Sequence, residues 1–426
     1  MVKSSAKSAS AVKVSKARKE ILTQLLDLDS GAIVRGSVHE YLYELLQFTA
    51  ELVMNNEVIE LVGERYKHNA ERDCHRWGSQ KGSGLLLGQR VPLEKPRVVT
   101  TGGSEVELKT YKALKSPELM NEAAARKLIT GVSTRRYPKT VEKLLRGRGI
   151  GRQTISRRGA EEMAKQLAEF QTRSFAGTEF VTIFMDGIGL GERICVAAVG
   201  MDKNGKKHVL GFEQGSTENG GTCRRLLSNL IDRGILEADG GYLFVIDGGK
   251  GLLKAINEVF GNRVEVQRCT EHKKRNVEDQ LPKHMHKEFR QKFAAAFSKK
   301  THKEAEKAFL KLRRDLEKAG YKKAAGSLLE GSTQILTLHK LGITGALRRS
   351  LCTTNSIESL FSAGRYYTRN VKRWRNEEQM DRWLASGLME AEKNLRSVPG
   401  YTQIGKLKEA LNKTAKLTAA ATNNKK

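Results

Sequence analysis

Between residues 179 and 269 the chain spells out a run of strands and helices whose order leaves few folds open. EFVTIFMDGIG (179–189), RICVAAVGM (193–201) and KHVLGFEQG (207–215) read as strands, with Asp202-Lys203-Asn204-Gly205 as a turn between the last two. GTCRRLLSNLIDRGIL (221–236) has helical spacing. GYLFVIDGG (241–249) is apolar enough to predict a strand buried on both faces. A helix, KGLLKAINEVFG, and a fifth strand, RVEVQRC (263–269), follow. Three antiparallel strands, then helix, strand, helix, strand, predict an α/β fold on a mixed sheet.

The flanking regions read as mainly helical. Ile21, Leu22, Leu25, Leu26 and Leu28 repeat at helical spacing, and YLYELLQFTAELVM continues the pattern to Met54. Glu57 to Arg72 reads as a further polar helix, which GSQKGSG (78–84) breaks. Residues 85–112 alternate like strands around Thr101-Gly102-Gly103-Ser104, predicting a hairpin there. Ser116-Pro117-Glu118 is a helix start. Lys139–Leu145, a turn through Gly147, Gly149 and Gly151, and a helix from Gln153 resemble a helix-turn-helix. Residues 271–345 are helical, with Ala305, Ala308, Phe309, Leu312 and Leu316 on one face. A last helical block runs from SLCTTNSIESLF to Leu395, and the tail from Gly405 reads as loose, low-complexity chain.

Charge narrows the partners. Lys and Arg number 76 against 48 Asp and Glu, a net charge of +28, which a polyanion relieves. There is no apolar run of transmembrane length, no basic amphipathic anchor and no lipidation motif, so nucleic acid is favoured over a membrane. The N-terminus lacks the apolar segment of a secretory signal, and five widely spaced cysteines do not make a disulfide framework. Both point to a reducing, cytoplasmic setting. Basic residues crowd the helix-turn-helix-like stretch; Arg135, Arg136, Arg148, Arg152, Arg157 and Arg158 are the candidate DNA contacts there. The alternative is a solvated amphipathic helix pair.

Two acids mark the chemistry. Asp186 ends the first strand in FMDG and Asp247 ends the fourth in VIDGG, each followed by glycine. Adjacent strand ends can bring such carboxylates within a few ångströms. As hard oxygen ligands they suit Mg²⁺, with Mn²⁺ as a substitute. Two such metals, about 3.5–4 Å apart, can serve both oxygens of a phosphodiester displacement. A third acid is needed, and Glu358 in TTNSIESLF is the candidate, on a helix started by Thr354, Asn355 or Ser356. The bland reading makes each aspartate a turn or cap residue.

DGIGLGER is no dinucleotide loop, because a strand follows it, and DGGKG lacks the rest of a phosphate-binding loop. Cys269 and His272 lie three apart without a second pair for zinc, so a supporting role beside the acids is expected, with Asn355 as a further supporting candidate. Cys74-His75 reads as incidental. Arg369, Lys372, Arg373 and Arg375 surround Trp374, a pattern fit for phosphates and a stacked base. The alternative makes Trp374 a packing residue.

Together FMDGIG, VIDGGKGL, Cys269-x-x-His272, LCTTNSIESLF and TRNVKRWR resemble the Mutator-type transposases of bacterial insertion sequences, from about Val62 to Leu395. The resemblance implies a DDE enzyme with an RNase H-like mixed sheet interrupted by a helical insertion. Asp186, Asp247 and Glu358 would hold two Mg²⁺ ions. It further implies binding of the element's terminal inverted repeats by the N-terminal half, strand cleavage, and attack of a 3′-OH on target DNA. Joining two ends requires a homodimer or higher oligomer on double-stranded DNA, at the nucleoid. The expected organisation is a disordered basic arm (1–19), a helical region with a hairpin (20–112) and a helix-turn-helix-like region (113–175). A first catalytic part (176–272), a helical insertion (273–345), a second catalytic part (346–400) and a basic tail (401–426) follow. The rivals are a transposase-derived non-catalytic DNA-binding regulator and an RNase H-type nuclease.

Overall fold

The structure is a computed structural model that describes residues 38–65, 67, 72–86, 89–116, 118–137, 151–190, 193–215, 220–237 and 241–423. Its elements divide into two compact units, Met1–Glu162 and Met163–Lys426.

In the first unit α1 (Val38–Val62) lays Ala50, Met54, Val58 and Val62, one residue per turn, against Val91, Leu93 and Val98 of a hairpin. That hairpin is β1 (Cys74–Leu86) with β2 (Gln89–Thr100), paired from Cys74↔Thr100 to Leu86↔Gln89. Three expectations change here. The helix expected over Glu57–Arg72 is instead the end of α1, which stops before Gly63 at a left-handed φ of 76°. The stretch 78–84 is strand, not a break. A Cβ on Gly82 would lie 2.5 Å from the Tyr111 hydroxyl oxygen, so glycine there serves close packing. The turn at Thr101–Ser104 is followed only by the bridge Val99↔Glu105, because the chain then enters α2 (Lys109–Lys115). Glu57 accepts from the Lys109 and Thr110 N–H groups at that helix start, at 2.6 and 2.9 Å. Next comes α3 (Glu118–Ile129), whose Glu118 N–H donates to Ser116 Oγ at 3.3 Å. Lys139–Leu145, Gly147, Arg148 and Gly149 of the expected helix-turn-helix lie outside the described residues, as do residues 1–37; its second helix is α4 (Arg152–Thr172).

The second unit carries a five-stranded mixed sheet: β3 (Phe180–Leu190), β4 (Arg193–Asp202), β5 (Lys207–Gly215), β6 (Leu243–Ile246) and β7 (Glu265–Arg268). Their spatial order is β5-β4-β3-β6-β7. The first three are antiparallel, and β6 and β7 continue parallel from β3. Helices cover both faces, as the wholly buried LFVI of β6 requires. On one side α5 (Gly220–Asp232) and α6 (Lys250–Phe260) pack Leu226, Leu227, Ile256 and Phe260 on Ile183, Met185 and Phe244.

After β7 come α7 (Thr270–Glu278), α8 (His286–Phe297), α9 (His302–Lys318), α10 (Lys322–Leu329), α11 (Ser332–Ile335) and α12 (Thr337–Lys340). Phe289, Phe293, Phe309, Leu312, Leu316 and Leu328 give these helices a core of their own. Thr301 and Glu304 form a reciprocal cap on α9. Thr337 Oγ1 donates to Val266 O at 2.6 Å, and Gln267 Oε1 accepts from the Leu338 N–H at 3.1 Å. These bonds cover the open edge of β7. The chain then returns through α13 (Gly345–Leu351), α14 (Asn355–Thr368) and α15 (Glu377–Glu392) to the other face of the sheet. The stretch from Gly405 is not loose: it belongs to α16 (Ile404–Asn423), whose Ile404, Leu407 and Leu411 join that core. Lysine and threonine between them masked a one-sided apolar spacing.

His339 is buried in this unit. Its Nε2 donates to Phe297 O at 3.0 Å, and Nδ1 is buried without a hydrogen-bond partner among the described residues. Burial, then the nearby Arg348, push its pKa down from 6.5 to about 4. The unfolded chain therefore takes up the proton first as pH falls. Stability conferred by neutral His339 is whole above about 6.5 and lost by about 4, a loss of about 3 kcal/mol. Urea unfolding of the protein and of His339→Gln across this window is expected to show a shallower pH slope in the variant; equal slopes would contradict it.

Candidate active site

The site grows out of one register position. Met185 is paired with Ile246, the last residue of β6, so Asp186 and Asp247 are the next residues along two neighbouring strands. Such strands run about 4.8 Å apart. Asp186 is not at its strand's end, as the sequence implied; β3 continues to Leu190, paired with β4 through Asp186↔Ala197. It lies instead where the parallel neighbour runs out, which opens the same gap beside it. By alternation it shares a face with Phe184 and Ile188, and α14 packs Ile357, Leu360 and Phe361 on that face. This carries Glu358, between Ile357 and Leu360, to the aspartates.

Sequence distance is overcome by two hydrogen bonds at the insertion's base. The Thr270 N–H and Oγ1 both donate to Cys352 O, at 2.9 and 3.0 Å, across 82 residues. Because the inserted helices hold a core of their own, the chain can leave at Thr270 and return at Cys352 without disturbing the sheet.

The carboxylates are held differently. Asp186 is 8% exposed, and its Oδ1 accepts from the Gly187 N–H at 2.9 Å. Burial first, then the charges of Asp247 and Glu358, raise its pKa to about 7, against the opposing Gly187 hydrogen bond and His272. Asp247 Oδ1 accepts from the Gly249 N–H at 2.8 Å. Gly248 between them has φ 101°, and a Cβ there would lie 1.9 Å from Arg268 Nε, so only glycine fits. Glu358 Oε1 accepts from Thr354 Oγ1 at 2.7 Å, and His272 Nδ1 lies 3.9 Å from it.

Cys269 and His272 sit beside the acids. Cys269 is fully buried, and its Sγ lies 3.4 Å from both the Thr354 N and Oγ1. Burial raises its pKa, but hydrogen bonds from His272 and Thr354 outweigh this and leave the thiol below its ordinary value. The bond to Cys269 in turn lifts His272 to about 9, against burial and with help from Asp186 and Glu358. Asn355, expected to support the site, is exposed. Thr354 supports it instead: as the residue before α14 it was legible only as a helix start, and its hydroxyl turns to Glu358 rather than capping the helix.

Three carboxylates whose charges oppose one another are hard donors that a divalent cation would relieve. Among the described residues, no three His, Cys, Asp or Glu side chains are drawn close enough to share one ion.

The basic candidates separate by environment. Arg135, Arg136, Arg152 and Arg157 are exposed; Arg158 is half-buried and reaches Glu161 at 3.3 Å, with Arg157 3.8 Å from the same carboxylate. Arg369, Lys372, Arg373 and Arg375 are exposed. Trp374 is partly buried and packed on the core. The outward aromatic is Tyr366, 54% exposed, with the Arg369 guanidinium 3.6 Å from its ring centre. No helix among the described residues is long and apolar enough to cross a membrane. None of the five cysteines is in a disulfide.

Comparison with known proteins decides the family. The sequence model "Transposase, Mutator family" matches residues 16–397. The chain belongs to the Mutator family of transposases. It is 25% identical over 349 residues to the transposase for insertion sequence element IS256 in transposon Tn4001 of Staphylococcus aureus, covering 80% of this chain and 87% of that one. It is 26% identical over 372 residues to the transposase for insertion sequence element IS905 of Lactococcus lactis, covering 86% and 90%. A Rhizobium meliloti relative, the transposase for insertion sequence element ISRM5, is 25% identical over 379 residues, covering 86% and 92%. This Mutator-family chain therefore has transposition as its activity and DNA as its substrate.

Proposed function

We propose that this transposase is a DDE enzyme with an RNase H-like catalytic domain, in which Asp186, Asp247 and Glu358 hold two Mg²⁺ ions, Mn²⁺ substituting. The observation that carries the reading is the position of the acids. Asp186, within β3, and Asp247, just past the end of the parallel β6, stand at one level, and α14 delivers the third over the same face. The mixed sheet with its helical insertion supports the RNase H-like assignment. Bound there, divalent cations would supply Lewis acidity to the attacking and leaving oxygens of a phosphodiester.

The chain's own groups do the rest. The exposed arginines and lysines neutralise phosphates on the element's terminal inverted repeats and on target DNA. Thr354 holds Glu358 Oε1, and the Gly187 and Gly249 N–H groups hold the two aspartates. Hydrolysis frees a 3′-OH, whose oxygen then attacks a second phosphodiester, one P–O bond forming as another breaks. No covalent protein–DNA intermediate is required. Two ends must be processed together, so the active form is a homodimer or higher oligomer on double-stranded DNA.

The test uses the full chain, a labelled fragment carrying the element's inverted repeat, a target plasmid and MgCl₂. Metal-dependent cleavage followed by covalent joining to the plasmid is expected. Cleavage without joining would make the protein a nuclease, and binding alone a DNA-binding regulator.

A further inference from the structure

Thr354 is fully buried at the junction where the insertion returns to the sheet. Its hydroxyl has three neighbours: Glu358 Oε1 at 2.7 Å, His272 Nδ1 at 3.3 Å and Cys269 Sγ at 3.4 Å. A hydroxyl carries one proton and two lone pairs. An ionised carboxylate can only accept, and it is the nearest neighbour, so the proton goes to Glu358. The lone pairs of Oγ1 then face the imidazole, whose N–H can donate to them, while Cys269 Sγ is an acceptor packed against the same hydroxyl. The Thr354 backbone N–H, at 3.4 Å from Cys269 Sγ, fixes the residue from the other side. Glu358 itself is 38% exposed at its side chain and stands one turn along α14. A carboxylate on an exposed arm has several rotamers, and a donor from a buried anchor selects one of them.

We propose that Thr354 is a positioning residue that couples the Cys269-x-x-His272 pair to Glu358, its buried hydroxyl fixing the orientation of the acid's carboxylate for metal ions. The pair is thus neither a zinc site nor incidental: it orients the threonine, and the threonine orients the acid. The proposal rests on the catalytic reading of Glu358 given above. Outer-shell partners of metal-binding side chains are worth about 10- to 100-fold in affinity or activity.

The experiment compares Thr354→Val, Thr354→Ser, Thr354→Ala and Glu358→Gln in the full chain. Cleavage of inverted-repeat DNA against MgCl₂ concentration, Mn²⁺ binding by electron paramagnetic resonance, end binding and thermal unfolding are read on each. Thr354→Val is expected to lose about 10- to 100-fold in cleavage and to weaken Mn²⁺ binding comparably, with end binding kept. Thr354→Ser is expected to recover most of both. If the valine variant fails to fold, Ser and Ala decide, because they differ by the hydroxyl alone. Valine and alanine variants matching wild type in rate and Mn²⁺ affinity, beside an inactive Glu358→Gln, would overturn the positioning role alone. A Glu358→Gln that cleaves normally would overturn the catalytic reading beneath it.

Discussion

Asp186→Asn, Asp247→Asn and Glu358→Gln are each expected to lower strand cleavage by at least about 10³-fold while leaving binding to the element's ends within about twofold. Each change keeps side-chain size and removes one unit of negative charge. Metal-assisted charge stabilisation is worth several kcal/mol, and about 1.4 kcal/mol is a factor of ten in rate. End binding survives because the exposed basic residues are elsewhere on the chain. Removing charge from Asp186 also relieves its repulsion with Asp247 and Glu358, so Asp186→Asn is expected to unfold no earlier than wild type. A gel-based cleavage assay beside a mobility-shift titration checks this. Any one variant cutting at near wild-type rate would remove that acid from the site.

Phe244→Ala carries the second large effect, on stability. Phe244 is fully buried in the central strand pair. Its ring centre lies 5.3 Å from Phe260 and 6.5 Å from Tyr242. Truncating a buried phenylalanine costs about 3–5 kcal/mol, from lost burial and the cavity left behind. Urea unfolding followed by circular dichroism is expected to show a matching fall in midpoint. Because Phe244 lies three residues before Asp247, cleavage should fall before the fold is wholly lost. A loss under about 1 kcal/mol would mean that the neighbouring helices collapse into the space.

The sheet and its two aspartates were legible in the sequence because each strand announces itself locally. LFVI is apolar throughout and buried throughout, and the turn Asp202–Gly205 marks the hairpin between β4 and β5. The first unit was harder to read. Gly82 and Gly84 looked like a break, but they admit Tyr111 and Leu114 against the strand, a contact between residues some thirty positions apart. The tail misled for a related reason: Ile404, Leu407 and Leu411 matter only once the sheet offers a face to cover. Trp374 and Tyr366 were both near the basic run, and burial alone separates the packed ring from the exposed one.

Alternating apolar residues, turn signals and helical spacing are short-range properties, and by themselves they marked the strands and helices along the chain, the helical stretch at 271–345 and three candidate acids. That Thr354 would join Cys269 and His272 to the third acid was decided only in three dimensions. Thr354 meets Cys269 and His272 because two hydrogen bonds from Thr270 to Cys352 close an independently packed insertion at its base. Neither end of that closure carries a local signal. A hydroxyl between a thiol, an imidazole and a carboxylate is a property of folded space, set by packing of α14 on β3.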